Sequence, residues 1–278
     1  MEKIDYSKIE GLKIIAKNIR LSVIEMLYHA KSGHTAGSLD LVDILTILYF
    51  HTLRHKPTNP YWEDRDRLIL SCGHTCPVLY ATLAYAGYLP KEELLSLRKF
   101  GSRLQGHPHR EYLDILETSS GPLGSGLSQA VGMAIVDKIY NESKRRFYAI
   151  LSDGEFDEGN TWEALMLASK EKLSNLIIIV DRNYIQIGGN TEEIMPLSDL
   201  KDKIKSFNCF VLEVDGHNFF ELDEAFNEAI ENKNSPTVII ANTISAKGVK
   251  EWENDYHWHG KAPNKDEAKM ALKEINNS

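Results

Sequence analysis

The chain has 278 residues, 42% of them apolar and 26% charged, an ordinary composition for a folded globular protein. Its formal charge of -8 argues against general affinity for nucleic acid or an anionic membrane, so an anionic substrate has to be held by local donors. No apolar stretch approaches a membrane span, and the opening MEKIDYSKIEGLKIIAKNIR lacks the uninterrupted apolar core of a signal peptide, which indicates a cytoplasmic protein.

Residues 8–30 show helical apolar spacing, and LDLVDILTILYF (39–50) reads as a second, more buried helix. Between them lies KSGHTAGS, a glycine-rich turn carrying His34. DRLIL (66–70) is a short buried strand ending in SCGH, followed by a helix around 77–87. Pro90 opens a predicted helix that ends near Gly101, and 101–125 is a long irregular stretch, hence a candidate functional loop. A helix is expected at 126–140, a strand at 147–151, a helix at 160–171 and a strand at 176–180. CFVLEVDG (209–216) and PTVIIANT (236–243) supply two more strands with a helix between them, and the histidine-rich tail after 245 ends in a short helix. Strands alternating with helices, most of them continuously apolar, predict one doubly wound α/β domain over 1–278, a mainly parallel sheet with helices on both faces.

Three cysteines, Cys72, Cys76 and Cys209, cannot pair completely and fit a reducing compartment. The cluster Cys72-Gly-His74-Thr-Cys76 lacks the further ligands a zinc site needs.

In parallel sheets, ligands bind at the carboxyl ends of the strands. Two apolar runs end in Ser152-Asp153-Gly154 and Asp181-Arg182-Asn183, which puts Asp153 and Asn183 on one rim. A carboxylate and an amide oxygen suit magnesium or calcium better than zinc, and two side-chain ligands leave room for phosphate oxygens and water. The same spacing also fits a helix-capping Asp153 and an Asn183 in a turn. SSGPLGSGLSQAVGMA places Gly121, Gly124 and Gly126 directly before a helix, where amide donors can meet an anion. It is neither a Walker A loop nor a G-x-G-x-x-G fingerprint, and a tight turn with close helix packing explains it equally well. His34, His74, His107 and His259 each lie beside a glycine at segment ends, where imidazoles can bond phosphate or hydroxyl oxygens and shuttle protons.

Together these residues resemble one family. SDGEFDEGNTWEA…KLSNLIIIVDRN resembles the thiamine diphosphate motif, an Asp-Gly about 30 residues ahead of an Asn. Glu158-Gly159 and Trp162-Glu163-Ala164 resemble the transketolase form of it. KSGHTAGSLDLVDIL, DRDRLILSCGH, GSRLQGHP, TSSGPLGSGLSQAVGMA and HWHG are similar to successive transketolase signatures, in the same order.

The resemblance implies thiamine diphosphate and Mg2+, with Ca2+ or Mn2+ able to substitute, and a metal held by Asp153, Asn183 and the carbonyl of Ile185. It implies diphosphate contacts from the Gly154 and Glu155 amides with His74 and His259, and Gly121 and Leu123 against the cofactor. His34, His107 and His259 would face the sugar phosphate's hydroxyls, and Glu158 would join a carboxylate network across a subunit interface. Ser152 stands where the family usually has glycine, and Thr35-Ala36 where single-chain members commonly have Pro-Gly. A full transketolase continues into a pyrimidine-binding domain and a third domain, so this chain reads as the N-terminal subunit of a split enzyme, inactive alone and paired as an α2β2 assembly. Two other readings are a subunit of a deoxyxylulose phosphate synthase-like or 2-oxo acid dehydrogenase-like enzyme, and a non-catalytic cofactor-binding subunit. His107 and His259 argue against the first, and retention of Asp153, Asn183 and the histidines against the second.

Overall fold

The computed structural model describes residues 3–141 and 144–277. In chain order the helices and strands are α1 (Tyr6–Ala30), α2 (Ala36–Asp40), α3 (Val42–Ile47), β1 (Arg67–Leu70), α4 (Cys76–Tyr85), α5 (Ser125–Val136), β2 (Phe147–Ser152), α6 (Gly159–Lys170) and β3 (Leu176–Arg182). A small hairpin, β4 (Ile185–Gln186) and β5 (Gly189–Asn190), leads into α7 (Thr191–Ile194). Then come α8 (Leu200–Ser206), β6 (Phe210–Asp215), α9 (Phe219–Glu231), β7 (Thr237–Asn242) and α10 (Lys265–Asn277).

Five strands form one all-parallel sheet in the order β1-β2-β3-β7-β6. Alternate residues of each strand serve opposite faces. Tyr148 and Ile150 of β2 and Ile177 and Ile179 of β3 join one core with α1, α3, α4 and α9. Phe147, Ala149 and Leu151, with Ile178 and Val180, join the other with α5, α6 and α8. The split follows from right-handed crossovers: β1→β2→β3 advances one way across the sheet, β6→β7 returns, and the intervening helices land on opposite faces. Strand β6 is one of the two edges, and its alternating burial explains why CFVLEVDG mixes apolar with acidic residues.

Three predicted helices are corrected. The run 39–50 is broken into α2 and α3, followed by a wide π turn over Leu48–Thr52. The helix expected after Pro90 is only a 3-10 turn, Lys91–Ser96. Leu94 and Leu97 are buried at a spacing that a short turn satisfies, and Arg98, at φ 60, turns the chain away so that its amide bonds the Leu104 carbonyl. The helix expected at 126–140 leaves α-geometry after Val136 for a π turn over Asp137–Asn141. No helix among the described residues is long and apolar enough to cross a membrane.

Candidate functional site

Strands β2 and β3 run in register, Ser152 beside Asp181, so their tips deliver Asp153 and Asn183 to one rim. Both side chains are buried. Asp153 Oδ2 accepts from the Tyr184 amide at 2.8 Å and Arg182 Nη1 at 3.1 Å, while Oδ1 accepts from the Gly154 amide at 2.8 Å. Of about four lone-pair sites on a carboxylate, one is left. Burial raises Asp153, and with Arg182 drawing it part of the way back it stands at about 6. Asn183 Oδ1 accepts from the Ile185 amide at 2.8 Å, an Asx turn, and its amide nitrogen donates to Asp40 Oδ2 at 2.9 Å.

Three residues that sequence reasoning passed over complete this rim. Asp40 and Asp181 are buried beside Asn183, and Asp40 also accepts from the Ala246 amide at 2.6 Å. Burial raises both acids, Asp181 to about 7, and each is raised further by a neighbouring carboxylate. Arg182 is the cation among them. It bonds Asp153, Thr191 at 3.1 Å and Glu192 at 2.5 Å, and its guanidinium lies 4.0 Å from the Tyr184 ring. Tyr184 holds φ 62, a strained value for a bulky residue, at the point where the β4–β5 hairpin leaves the rim. The signal that was available for Asp40 is a carboxylate, one of two with Asp43, in a mostly apolar helical run.

Asp153 does not cap a helix. Ser152 does, with its side chain accepting the Glu155 amide while the Glu155 carboxylate accepts the Ser152 amide. Ser152 sits at φ -86, so the family's glycine is not needed there for conformational reasons. The Glu155 carboxylate is buried and also accepts from Ser71 Oγ and the Gly124 amide, both at 2.6 Å. It joins the tips of β1 and β2 to the glycine-rich loop. That loop closes tightly: Gly124 has φ +76, and a Cβ there would lie 2.1 Å from Asn160 Oδ1. A Cβ on Gly73 would strike Ser120 at 2.9 Å, so glycine lets the 119–121 segment cross the end of β1. Gly121 and Leu123 are both partly exposed on this loop.

The histidines converge from three segments. His34, in the turn after α1, His74, after β1, and His259, in the C-terminal segment, pack with ring centroids 5.0–5.6 Å apart. His107 lies outside that ring-contact group, on an exposed loop position, with Arg98 nearby. Burial lowers all four, His34 to about 4 and His74 to about 3, with the neighbouring rings adding to the effect in those two. The rings are therefore neutral near pH 7, each with one donor and one acceptor nitrogen. Among the described residues, the buried His34 Nδ1 has no hydrogen-bond partner. Glu158 is exposed just before α6, and its side chain makes no cap bond.

The ring-proton resonances of His34 and His74 are expected to stay flat from pH 8 down to about 5. A midpoint near 6.5 in an NMR titration would contradict the buried cluster. A lowered folded pKa means these rings add stability above pH 6.5, and that contribution is lost as pH falls toward 4.

Residues 12–276 match the family described as transketolase, thiamine diphosphate binding domain. The transketolase structure from Campylobacter jejuni superposes with a TM-score of 0.90 at 34% identity, covering 95% of this chain and 42% of that one. One of the subunits of the apulose-4-phosphate transketolase of Phocaeicola vulgatus is 36% identical, with 96% of this chain and 95% of the relative covered. The 6-deoxy-6-sulfo-D-fructose transketolase subunit SqwG of Clostridium sp. is 38% identical, with 94% of each covered. The chain spans 43% of the length of the mammalian transketolases it also matches. With its parallel sheet, its acid-lined rim and a match over nearly its whole length, the chain belongs to the transketolase family, as a thiamine diphosphate binding domain.

Proposed function

We propose that the chain is the diphosphate-binding subunit of a two-part transketolase, working with a separate subunit that carries the pyrimidine-binding domain. The observation that carries this reading is the near end-to-end match to two relatives named as subunits, against the 43% share of the mammalian enzymes. We further read residues 1–278 as one domain, the assembly as α2β2, and the setting as pentose phosphate metabolism in the cytoplasm. Three free, buried cysteines support a reducing compartment.

The residues present fit the implied cofactor. Three buried carboxyl groups, Asp40, Asp153 and Asp181, share one buried cation, Arg182, and all three are held above the usual carboxylate range; a divalent cation beside them would favour their charged forms. Among the described residues no three acidic, histidine or cysteine side chains converge as a closed metal cage. Asp153, Asn183 and the Ile185 carbonyl are thus an open, hard set, suited to magnesium that takes its other ligands from phosphate and water. Bound thiamine diphosphate supplies the carbon nucleophile for moving a two-carbon ketol unit from a ketose phosphate to an aldose phosphate.

This chain's own part is to hold and orient. Asp153, Asn183 and Ile185 anchor the metal; His74 and His259 serve the diphosphate, the Gly154 amide being committed to Asp153 Oδ1; Gly121 and Leu123 form the wall beside it. Glu155 is recast. Its amide is held by Ser152 and its carboxylate by three donors, so it frames the site instead of touching the diphosphate. Neutral His34, His107 and His259 can each accept a hydroxyl proton at one nitrogen and donate from the other, which suits substrate hydroxyls and their proton transfers. Glu158, exposed and uncommitted, is left for the partner.

Affinity capture of this chain from its own cells is expected to bring down a stoichiometric second subunit, identified by mass spectrometry, and ketol transfer is expected only from the pair. Capture of the chain alone, with full activity, would overturn the two-part reading. In the pair, His107→Ala is expected to lower turnover by about 100-fold, the scale of a lost acid–base group, with cofactor affinity nearly unchanged. Equal losses in both would remove His107 from the substrate side.

A further inference from the structure

At the end of the sheet opposite the histidines, five cations line a cavity of about 460 Å3: Arg54, Lys144, Arg145, Arg146 and Lys233. Arg146 immediately precedes β2, whereas Asp153 follows it, so the two ends are roughly 20 Å apart at strand rise. The remaining lining is Ser174 and Asn175, and among the described residues no carboxylate lines the cavity. In a chain of net charge -8 that concentration calls for a counter-charge, because like charges around a concavity repel and folding does not require them there.

Two of the five are neutralised from behind. Arg54 pairs with buried Asp66 at 3.1 Å, and Arg145 pairs with Asp137. Lys233 donates to the neutral Ile230 carbonyl at 2.5 Å. Among the described residues, the Arg146 guanidinium and the Lys144 ammonium meet no carboxylate at ion-pair distance. Among the described residues, three positive charges are therefore uncompensated. Their backbone is held in place: the Arg146 amide donates to Asp66 at 2.9 Å, the Arg67 amide donates to the Arg146 carbonyl at 2.9 Å, and Arg54 donates to the Lys144 carbonyl at 2.7 Å. The volume is that of a small-metabolite site. Guanidinium forks beside ammonium groups match the oxygens of a phosphate better than they match a lone carboxylate.

We propose that this cavity is a second anion site that binds a phosphate-bearing small molecule through Arg146, Lys144 and Lys233. The test is a calorimetric titration with inorganic phosphate at constant ionic strength. It uses the full chain in its native assembly, with thiamine diphosphate and magnesium present so that the opposite rim is occupied. Saturable binding is expected, weakened at least about tenfold in the Lys144→Ser, Arg146→Ser double variant, the scale of lost charge-assisted bonds. It should be unchanged in Lys8→Ser, Lys99→Ser, which removes the same charge from exposed positions elsewhere. Both cavity substitutions leave the backbone bonds in place, and matched melting temperatures would exclude misfolding. No saturable binding, or an equal loss in the two double variants, would overturn the proposal. So would binding to phosphatidic acid vesicles without binding to soluble phosphate, which would make the patch a membrane contact.

Discussion

Asp153→Asn is expected to weaken the magnesium-dependent binding of thiamine diphosphate by at least about 100-fold, because the substitution removes the one charged ligand of the proposed set. The substitution keeps the side chain's shape, so its cost to the empty chain should be small. Burial already raises the Asp153 carboxyl to about 6, which means the charged form is held there at a penalty that Asn does not incur. Against that gain, the Asn amide would face one of the three donors that now point at the carboxylate. Arg182 would keep Glu192 as a partner. The net effect on unfolding should be a loss of roughly 1–2 kcal/mol. The prediction is checked by following cofactor binding in the assembled enzyme at increasing magnesium, alongside urea unfolding of the variant. An unchanged magnesium half-saturation would remove Asp153 from the metal site, while a large loss of stability would show that its role is structural.

The rim is partly legible in the sequence because strand ends in a parallel sheet carry ligands, and Asp153 and Asn183 close two apolar runs of the right length. The sheet itself is legible for the same reason: IIIV in β3 and YAIL in β2 are buried on both faces, and such runs have few alternatives. Asp40, by contrast, reaches Asn183 from 143 residues away in the chain, and no local pattern encodes that meeting. Arg182 is visible but silent, since its partners Glu192 and Thr191 depend on how the β4–β5 hairpin folds back. The break in the helix at 36–52 is hidden because burial on all sides erases the periodicity that marks a helix. Glu155 stands out in the sequence for a different reason from the one the structure gives it. Its amide reads as a ligand contact because it follows Asp-Gly, whereas its carboxylate is committed to contacts that the spacing does not show.

Those contacts make Glu155→Ala the most destabilising single change expected at the site. The substitution strands three donors at once: the buried Ser71 hydroxyl and Gly124 amide and the partly buried Ser152 amide. The hydroxyl can rotate to another acceptor, but the two amides are fixed by the loop and the strand. Leaving a buried donor unpaired costs about 1–3 kcal/mol. Two such amides, plus the volume vacated by the carboxylate, bring the loss to about 3–5 kcal/mol. That is a large share of the roughly 5–15 kcal/mol that holds a typical domain folded. Glu155→Gln keeps the volume and one acceptor oxygen, so it should cost less, about 1–3 kcal/mol. Urea midpoints for the two variants check the order, and a Glu155→Ala loss under about 1 kcal/mol would mean the hub is not what holds these segments together. Hydrogen exchange adds a local test, because Gly124 is held at φ +76 against Asn160 and, among the described residues, its amide has only Glu155 as acceptor. Exchange at Gly124 should accelerate in both variants, and more than exchange in the strand interiors. A site that must fix a diphosphate between two strand tips and a glycine-rich loop needs those three segments joined, and among the described residues the Glu155 carboxylate bonds to all of them.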